Sequence, residues 1–393
     1  YNRSFPPEIR IEKQVPALIE AGYEVRVLTQ KISSNERKFE QVQKNYSIQR
    51  IKVGKQSLIS RINFNRKEYI SGLSDFISTF QPDILHVHDF HMVPMVINVV
   101  EKKIPVIADL HENMPAAWVA YRSNYRFMKK IIHSILYNYH IWRFYEKKYL
   151  PKCAGILVTV PEAKDILIHL GIIASKIHVV SNTENETTFS IFKFKLDKNI
   201  EKIYKDYWVA LYVGGLGPHR GLETTIKAIP TIKDKIANFK LLIVGAKNHE
   251  KKKIDKLTKK LKIGKKVEII NWVPFSEILS YIKISNVCLV PHDNFEHTQT
   301  TIPHKLFQYM IMGKPVLVSD CKPLKRVIDD CKAGLVFIAN DWRDLAKKMI
   351  ELKTNSSKTI EMAKNGVVAT QNKYSWKHDK QILLKVYNSI NND

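Results

Sequence analysis

The sequence predicts an α/β protein with parallel, doubly wound sheets in two domains of similar size. Three observations predict it. Short apolar, β-branched runs alternate with longer helix-period segments from residue 9 to residue 338. A polar, charged stretch at 184–206 interrupts the alternation, and 393 residues suit two domains or three. Gly-rich or polar residues follow one strand after another, as they do at the carboxyl rim of a parallel sheet.

In the first half, residues 9–21 carry helix periodicity despite Pro16, and Gly22 ends the helix. Residues 23–29 read as a strand, 31–46 as a polar loop, 47–53 as an alternating strand and 66–80 as a helix. Strand 83–88 leads into a helix at about 92–101, and strand 105–109 ends at Leu110-His111-Glu112. A long basic helical region precedes strands 155–160 and 177–181. This gives a first domain at 1–190 and a linker at 184–206. The second domain, 205–373, has strands at 208–213, 240–244, 267–270, 287–290 and 315–319, with a sixth at 333–338. The last segment places Ile382, Leu383, Val386 and Tyr387 on one helix face. It lies far beyond the last strand, so helix 374–393 is expected to pack back on the first domain.

A hydrophobic share of 45% supports sizeable cores. The net charge of +25 makes nucleic acid, phosphorylated small molecules and anionic membranes the candidate partners. Richness in Lys, Ile and Asn along the whole chain accounts for the same charge as a compositional habit. Cys153, Cys288, Cys321 and Cys331 form no C-x-x-C pair, which suits a reduced, cytoplasmic protein without a zinc motif. No apolar stretch approaches the ~20 residues of a membrane span, and no signal peptide is visible. The chain opens at Tyr1 without Met, and no strand precedes Phe5-Pro6-Pro7, so further residues are expected ahead of it.

The stretch T-T-I-P-H-K-L-F-Q-Y-M-I-M-G-K-P, residues 300–315, reads as a short helix with both ends marked. Thr300 or Thr301 is expected to cap it, with Pro303 in the first turn and Gly313 and Pro315 ending it. A helix start suits a phosphate, and Lys305 there opposes the dipole unless an anion lies between. The turn Gly214-Gly215-Leu216-Gly217-Pro218-His219-Arg220-Gly221 lets a backbone approach a phosphate, and Arg220 can clamp a diphosphate bidentately. A dinucleotide cofactor is disfavoured: the spacing is not G-x-G-x-x-G, and the next strand ends Gly245-Ala246-Lys247 without a ribose-holding acid. No G-K-[ST] follows for a Walker loop. Gly214, Gly215, Gly245, Trp272, Val273, His292 and Asp320 all follow strands.

In the first half, His86, His88, His91 and Asp89 invite a metal reading, with hydrogen-bonded core and loop histidines the commoner case. His111, just past a strand, is the better functional candidate, as a donor to a sugar hydroxyl or an orienter of an acceptor. Residues 121–152 interleave Arg122, Arg126, Lys129, Lys130, Arg143, Lys147, Lys148 and Lys152 with aromatics, among them Tyr121, Tyr125, Phe127, Tyr137, Tyr139, Trp142, Phe144 and Tyr145. That surface suits an anionic bilayer, a lipid-linked acceptor or single-stranded nucleic acid. An ordinary helix pair with one solvated face is equally in keeping with it.

These residues together resemble a GT-B glycosyltransferase of the large retaining family four (group 1), in the branch that builds cell-surface polysaccharides and glycolipids. The resemblance rests on F-P-P with R-I-E-K-Q, A-G-Y-E-V-R-V-L-T, P-D-I-L-H-V-H-D, I-A-D-L-H-E, Y-V-G-G-L-G-P-H-R-G-L-E, the terminal Y-S-W and above all I-P-H-K-L-F-Q-Y-M-I-M-G-K-P-V-L-V-S-D. It implies two Rossmann-like domains facing each other across a cleft. A UDP- or GDP-linked sugar donor belongs to the C-terminal domain and a glycan or lipid-linked acceptor to the N-terminal one. It implies no cofactor, no metal and no nucleic acid, and a cytoplasmic protein, peripheral on the inner face of the plasma membrane if membrane-bound. By the same resemblance His111 contacts the donor sugar, Arg220 and Lys305 bind the diphosphate, and Trp272-Val273 holds the base. Gly214, Gly215, Gly245, Thr300, Thr301 and Gln308 complete the donor site. Thr300 and Gln308 stand where the family has the two carboxylates of E-x7-E, and Gly215 replaces a basic residue. Those departures leave a nucleotide-sugar epimerase and a non-catalytic nucleotide-sugar-binding member as alternatives.

Overall fold

Apolar β-branched runs become strands, and the longer periodic segments become helices that cover them. The computed structural model describes residues 1, 5–31, 35–54, 67–185, 189 and 194–391. The chain forms two units, Tyr1–Ser181 with Asp379–Asp393, and Asn182–His378.

The first unit carries two sheets among its described residues. Strands β1 (Val25–Lys31) and β3 (Tyr46–Lys52) pair in parallel, and β2 (Phe39–Gln43) runs antiparallel along β3. The stretch expected as a loop at 31–46 thus contains an edge strand. Its F-E-Q-V-Q sequence is almost wholly solvent-facing, so no buried alternation marks it. The second sheet is β4 (Leu85–His88), β5 (Val106–Leu110), β6 (Gly155–Val158) and β7 (Ile177–Val179), parallel and in that order. β5 and β6 are buried along their whole length, as strands covered on both faces must be. The helix Trp376–Asn391 lays Leu383, Val386 and Tyr387 into this unit, and Tyr387 Oη lies 2.8 Å from His86 Nδ1. Gly155 leaves room for it: a Cβ there would stand 3.0 Å from Val386.

Among its described residues the second unit carries one six-stranded parallel sheet. Its strands are β8 (Trp208–Val213), β9 (Phe239–Ala246), β10 (Val267–Asn271), β11 (Val287–Val290), β12 (Val316–Ser319) and β13 (Gly334–Phe337). Their order is β10-β9-β8-β11-β12-β13. The chain winds outward from β8 through β9 to β10, then returns to the other side of β8 with β11. The loops after β8 and β11 therefore leave the sheet in opposite directions, which opens a crevice at their carboxyl ends. The stretch read as a linker is partly structured. Asp197 caps the helix Lys198–Tyr204, whose Ile200 and Tyr204 are buried, and Tyr204 Oη donates to Glu268 at 2.8 Å.

Candidate functional site

The crevice at β8 and β11 collects most of the residues singled out from the second half of the sequence. Gly214 and Gly245 both adopt positive φ (+124° and +100°), and a Cβ on Gly245 would lie 3.4 Å from the Gly214 nitrogen. Two strand exits thus pass close to one another, and the positive φ at each is the conformation that favours glycine. Gly221 closes the turn at φ +66°, and a Cβ there would stand 1.4 Å from the Pro291 carbonyl oxygen. The Asp293 N–H donates to the His219 carbonyl at 3.0 Å, fastening the glycine turn to the exit of β11. Tyr212 Oη donates to the Gly215 carbonyl at 2.7 Å.

Above this turn stands the helix His304–Ile311. Its Tyr309 hydroxyl accepts from the Val213 N–H at 2.9 Å, which ties the helix to the end of β8. The expected threonine cap does not form. Pro303 takes the N-cap position with extended backbone and gives no side-chain cap. Thr300 turns its hydroxyl back to the Glu296 and His297 carbonyls at 2.8 and 3.3 Å, and Thr301 is buried beside it. Lys305, in the first turn, reaches the glycine loop. Its Nζ lies 3.8 Å from the Tyr212 ring centroid and 3.1 Å from where a Gly214 Cβ would be. That ammonium is buried and makes no hydrogen bond among the described residues. Burial, and then the charge of Arg220, push its pKa well below the ordinary lysine value.

Arg220 Nη1 donates to His292 Nε2 at 3.2 Å. Burial first, then Arg220 and its cationic neighbours, keep His292 neutral and push His219 down to about 2. The site therefore gathers positive charge that the protein itself leaves uncompensated at Lys305, which is what an incoming anion requires.

Gln308 faces a partner that sequence spacing cannot reveal. Its Nε2 donates to Glu184 Oε1 at 2.9 Å, and His304 Nδ1 lies 3.1 Å from the same oxygen. Glu184 is buried, 124 residues away in sequence. A carboxylate only accepts, so it fixes the amide with its NH₂ inward and leaves the Gln308 oxygen for any further partner. Trp272 follows the edge strand β10 and is 75% exposed, and Val273 is half-buried beside it. These two lie at the same rim, two strands out from β8.

His111 belongs to the first unit. Its Nε2 lies 2.7 Å from His88 Nδ1, so one imidazole donates and the other accepts. His86 stacks on His88 at 4.7 Å between centroids, as alternation along β4 requires. Asp109 sits beneath all three, with Oδ2 at 3.2, 3.8 and 4.0 Å from His86, His88 and His111. The metal cluster read from His86, His88, His91 and Asp89 takes a different form. His86, His88 and Asp109 bring ligand atoms within 4.8 Å of one another, without Asp89 or His91. Asp109 already accepts from Arg10 and from Gln14, and a divalent cation there would meet the Arg10 charge.

The fold and its crevice define a GT-B protein, built of two Rossmann-like units. The pattern of the family described as "Glycosyl transferases group 1" matches residues 193–368, and that of "Glycosyltransferase Family 4" matches residues 8–183. Between them they take in nearly the whole chain, which belongs to the group 1, family four glycosyltransferases. An uncharacterised glycosyltransferase of Methanocaldococcus jannaschii is 27% identical over 194 residues, 49% of this chain and 52% of that protein. A capsular polysaccharide biosynthesis glycosyltransferase of Staphylococcus aureus is 23% identical over 202 residues, 51% of each. The chain spans about half the length of the curated relatives it matches. Among solved structures, sucrose-phosphate synthase of Thermosynechococcus elongatus superposes with a TM-score of 0.78 at 16% identity, covering 99% of this chain and 94% of that one. HepE of Anabaena in complex with UDP does so with 0.70 at 11% identity, covering 99% and 98%. At these identities the likeness is one of fold.

Proposed function

We propose that this glycosyltransferase moves a sugar, with retention, from a UDP- or GDP-linked donor to a glycan or lipid-linked acceptor. The setting is cell-surface polysaccharide or glycolipid synthesis on the cytoplasmic face of an anionic membrane. One observation carries the donor half: the buried Lys305 ammonium, unbonded and aimed at the glycine turn after β8. An anion with charge on two phosphates satisfies Lys305 and Arg220 together. HepE, solved with UDP, and the capsular polysaccharide relative support the same direction.

In this reading Lys305, Arg220 and the start of the helix His304–Ile311 stabilise the diphosphate as it leaves. The acceptor attacks from the leaving-group side, so no protein nucleophile is needed. Gly214, Gly215 and Gly245 admit the phosphates to the backbone, and Thr300 and Thr301 shape the wall beside them. Trp272 and Val273 hold the base, and His111 serves the transferred sugar. Gln308, oriented by Glu184, offers its oxygen to a ribose hydroxyl as the family's carboxylate would. Changing Glu184 to Ala frees the amide to turn. It is expected to weaken nucleotide binding roughly tenfold, with a smaller change in turnover at saturating donor, measured by titration with the nucleoside diphosphate.

Incubation with a panel of UDP- and GDP-sugars tests the reading. Slow release of nucleoside diphosphate from one donor, faster with acceptor, is the expected result. Interconversion of the donor sugar without release would make it an epimerase. Binding without turnover would make it a non-catalytic member.

A further inference from the structure

We propose that the helix Phe127–Leu136, together with the outward face of the helix Tyr139–Tyr149, docks this chain on an anionic lipid surface by inserting apolar side chains. The proposal names the docking element for the membrane setting above. It stands or falls by lipid binding, independently of donor chemistry.

The first of these helices is turned inside out. At about 100° per residue, Phe127, Met128, Ile131, Ile132 and Ile135 fall within roughly 140° of its circumference. On a surface helix such a stripe faces the core. Here all five are exposed, Phe127 by 76% and Ile135 by 69%, and the helix buries no residue at all. Its other side meets the residues that flank the helix. His133 packs against Tyr125 and Tyr137 at 5.1 and 4.4 Å between centroids, and Lys129 Nζ lies 4.2 Å from the Tyr125 ring. The stripe runs on into the next helix. Phe127, Ile131, Ile135 and Ile141 line one shallow groove, and Phe144 beyond it is 62% exposed. A contiguous apolar patch of this kind is uncommon on a free soluble surface.

Charge decides what covers it. Arg126, Lys129, Lys130, Lys147, Lys148 and Lys152 are exposed around the stripe. The only acid in residues 121–152 is Glu146, which is buried and paired with Arg143 at 2.5 Å. Exposed cations ringing inserted aromatic and aliphatic groups match an anionic headgroup layer over acyl chains. A second copy of this chain would bring the same cations and be repelled. Nucleic acid would satisfy the cations and leave the aliphatic stripe in water. Among the described residues no helix is long and apolar enough to cross a membrane, so the contact lies at the surface.

Co-sedimentation with vesicles of phosphatidylcholine alone, and of phosphatidylcholine with a quarter phosphatidylglycerol, tests this. Binding is expected to the anionic vesicles only. It should weaken several-fold between about 50 and about 300 mM salt without vanishing. The double variant Phe127→Ser, Ile135→Ser touches no packed residue and is expected to bind at least roughly tenfold more weakly. In a separate variant, Phe127→Trp, the indole should be quenched by brominated acyl chains. Absence of binding at low salt overturns the proposal. So does full binding by the double variant, which would mean purely electrostatic adhesion. A lipid-free dimer that the double variant dissolves would give the face to a second copy instead. Donor hydrolysis without vesicles is expected at the wild-type level in these variants. A wild type that binds vesicles but turns over no donor sinks the proposed function and leaves the docking intact.

Discussion

Lys305→Met is expected to move activity and stability in opposite directions. Turnover of the nucleotide-sugar donor should fall by about 10²–10³-fold, the usual loss when one preorganised donor to a developing negative charge is removed. The melting temperature should rise by a few degrees. Among the described residues the buried Lys305 ammonium over Tyr212 has no hydrogen-bond partner, so the fold carries its desolvation with no return. Methionine fills the same space and carries no charge. On the proposed reading, the donor's diphosphate completes the lysine. A protonation signature follows. Burial and Arg220 hold the free-state pKa well below the ordinary value, and a bound diphosphate raises it again. Between those two pKa values binding takes up a proton, so affinity for nucleoside diphosphate should rise as pH falls through that window. Calorimetry in two buffers of different ionisation enthalpy measures the uptake, which the Met variant should lack. A variant that turns over donor normally, or one that melts lower, would make Lys305 a structural residue.

What the sequence shows of this site is what lies close together along it. The glycine turn, Arg220 and the start of helix His304–Ile311 are local patterns, and sheet topology brings them to one crevice because parallel strands all end on the same side. Contacts of long range leave no such trace. Glu184 meets Gln308 across 124 residues and Arg10 meets Asp109 across 99. Thr300 and Gln308 at the E-x7-E positions are plain in the sequence, but the buried carboxylate that holds the Gln308 amide is not. The threonine cap failed for a local reason that pattern reading underweights: a Thr hydroxyl can serve the turn behind it as readily as the helix ahead. Strand β2 was missed because an exposed edge strand needs no apolar alternation. The helix Phe127–Leu136 shows the remaining limit. Its amphipathic period is plain in the sequence, but the period alone does not say which face meets the protein.

Asp109→Asn should be the most destabilising single change in the first unit, by about 3–5 kcal/mol. Asp109 lies at the end of β5 with no exposed surface. It accepts from Arg10 Nε at 2.8 and 3.0 Å and from Gln14 Nε2 at 2.8 Å, and Arg10 Nη2 lies 2.8 Å from Oδ1. Arg10 in turn donates to the Val180 carbonyl at 3.0 Å. One ion pair thus joins the helix Ile9–Glu20, β5 and the segment after β7. The Asn variant leaves a buried guanidinium facing a neutral amide. At about 2–4 °C per kcal/mol for a unit of this size, its melting temperature should drop by roughly 10 °C. The pH dependence has a definite sign. Burial raises the Asp109 pKa, but Arg10, then His111 and the His86 hydrogen bond, lower it further, and the net value lies well below the usual 3.8. A carboxyl depressed on folding contributes fully above its unfolded pKa and loses that contribution as pH falls through the folded one. The gap between wild type and variant should therefore be widest near neutral pH and narrow as pH drops below about 4. The double change Arg10→Met, Asp109→Leu should recover much of the loss, because it removes both charges together. If the double variant is as unstable as Asp109→Asn, the pair contributes through its hydrogen bonds to Gln14, His86 and Val180 rather than through its charge.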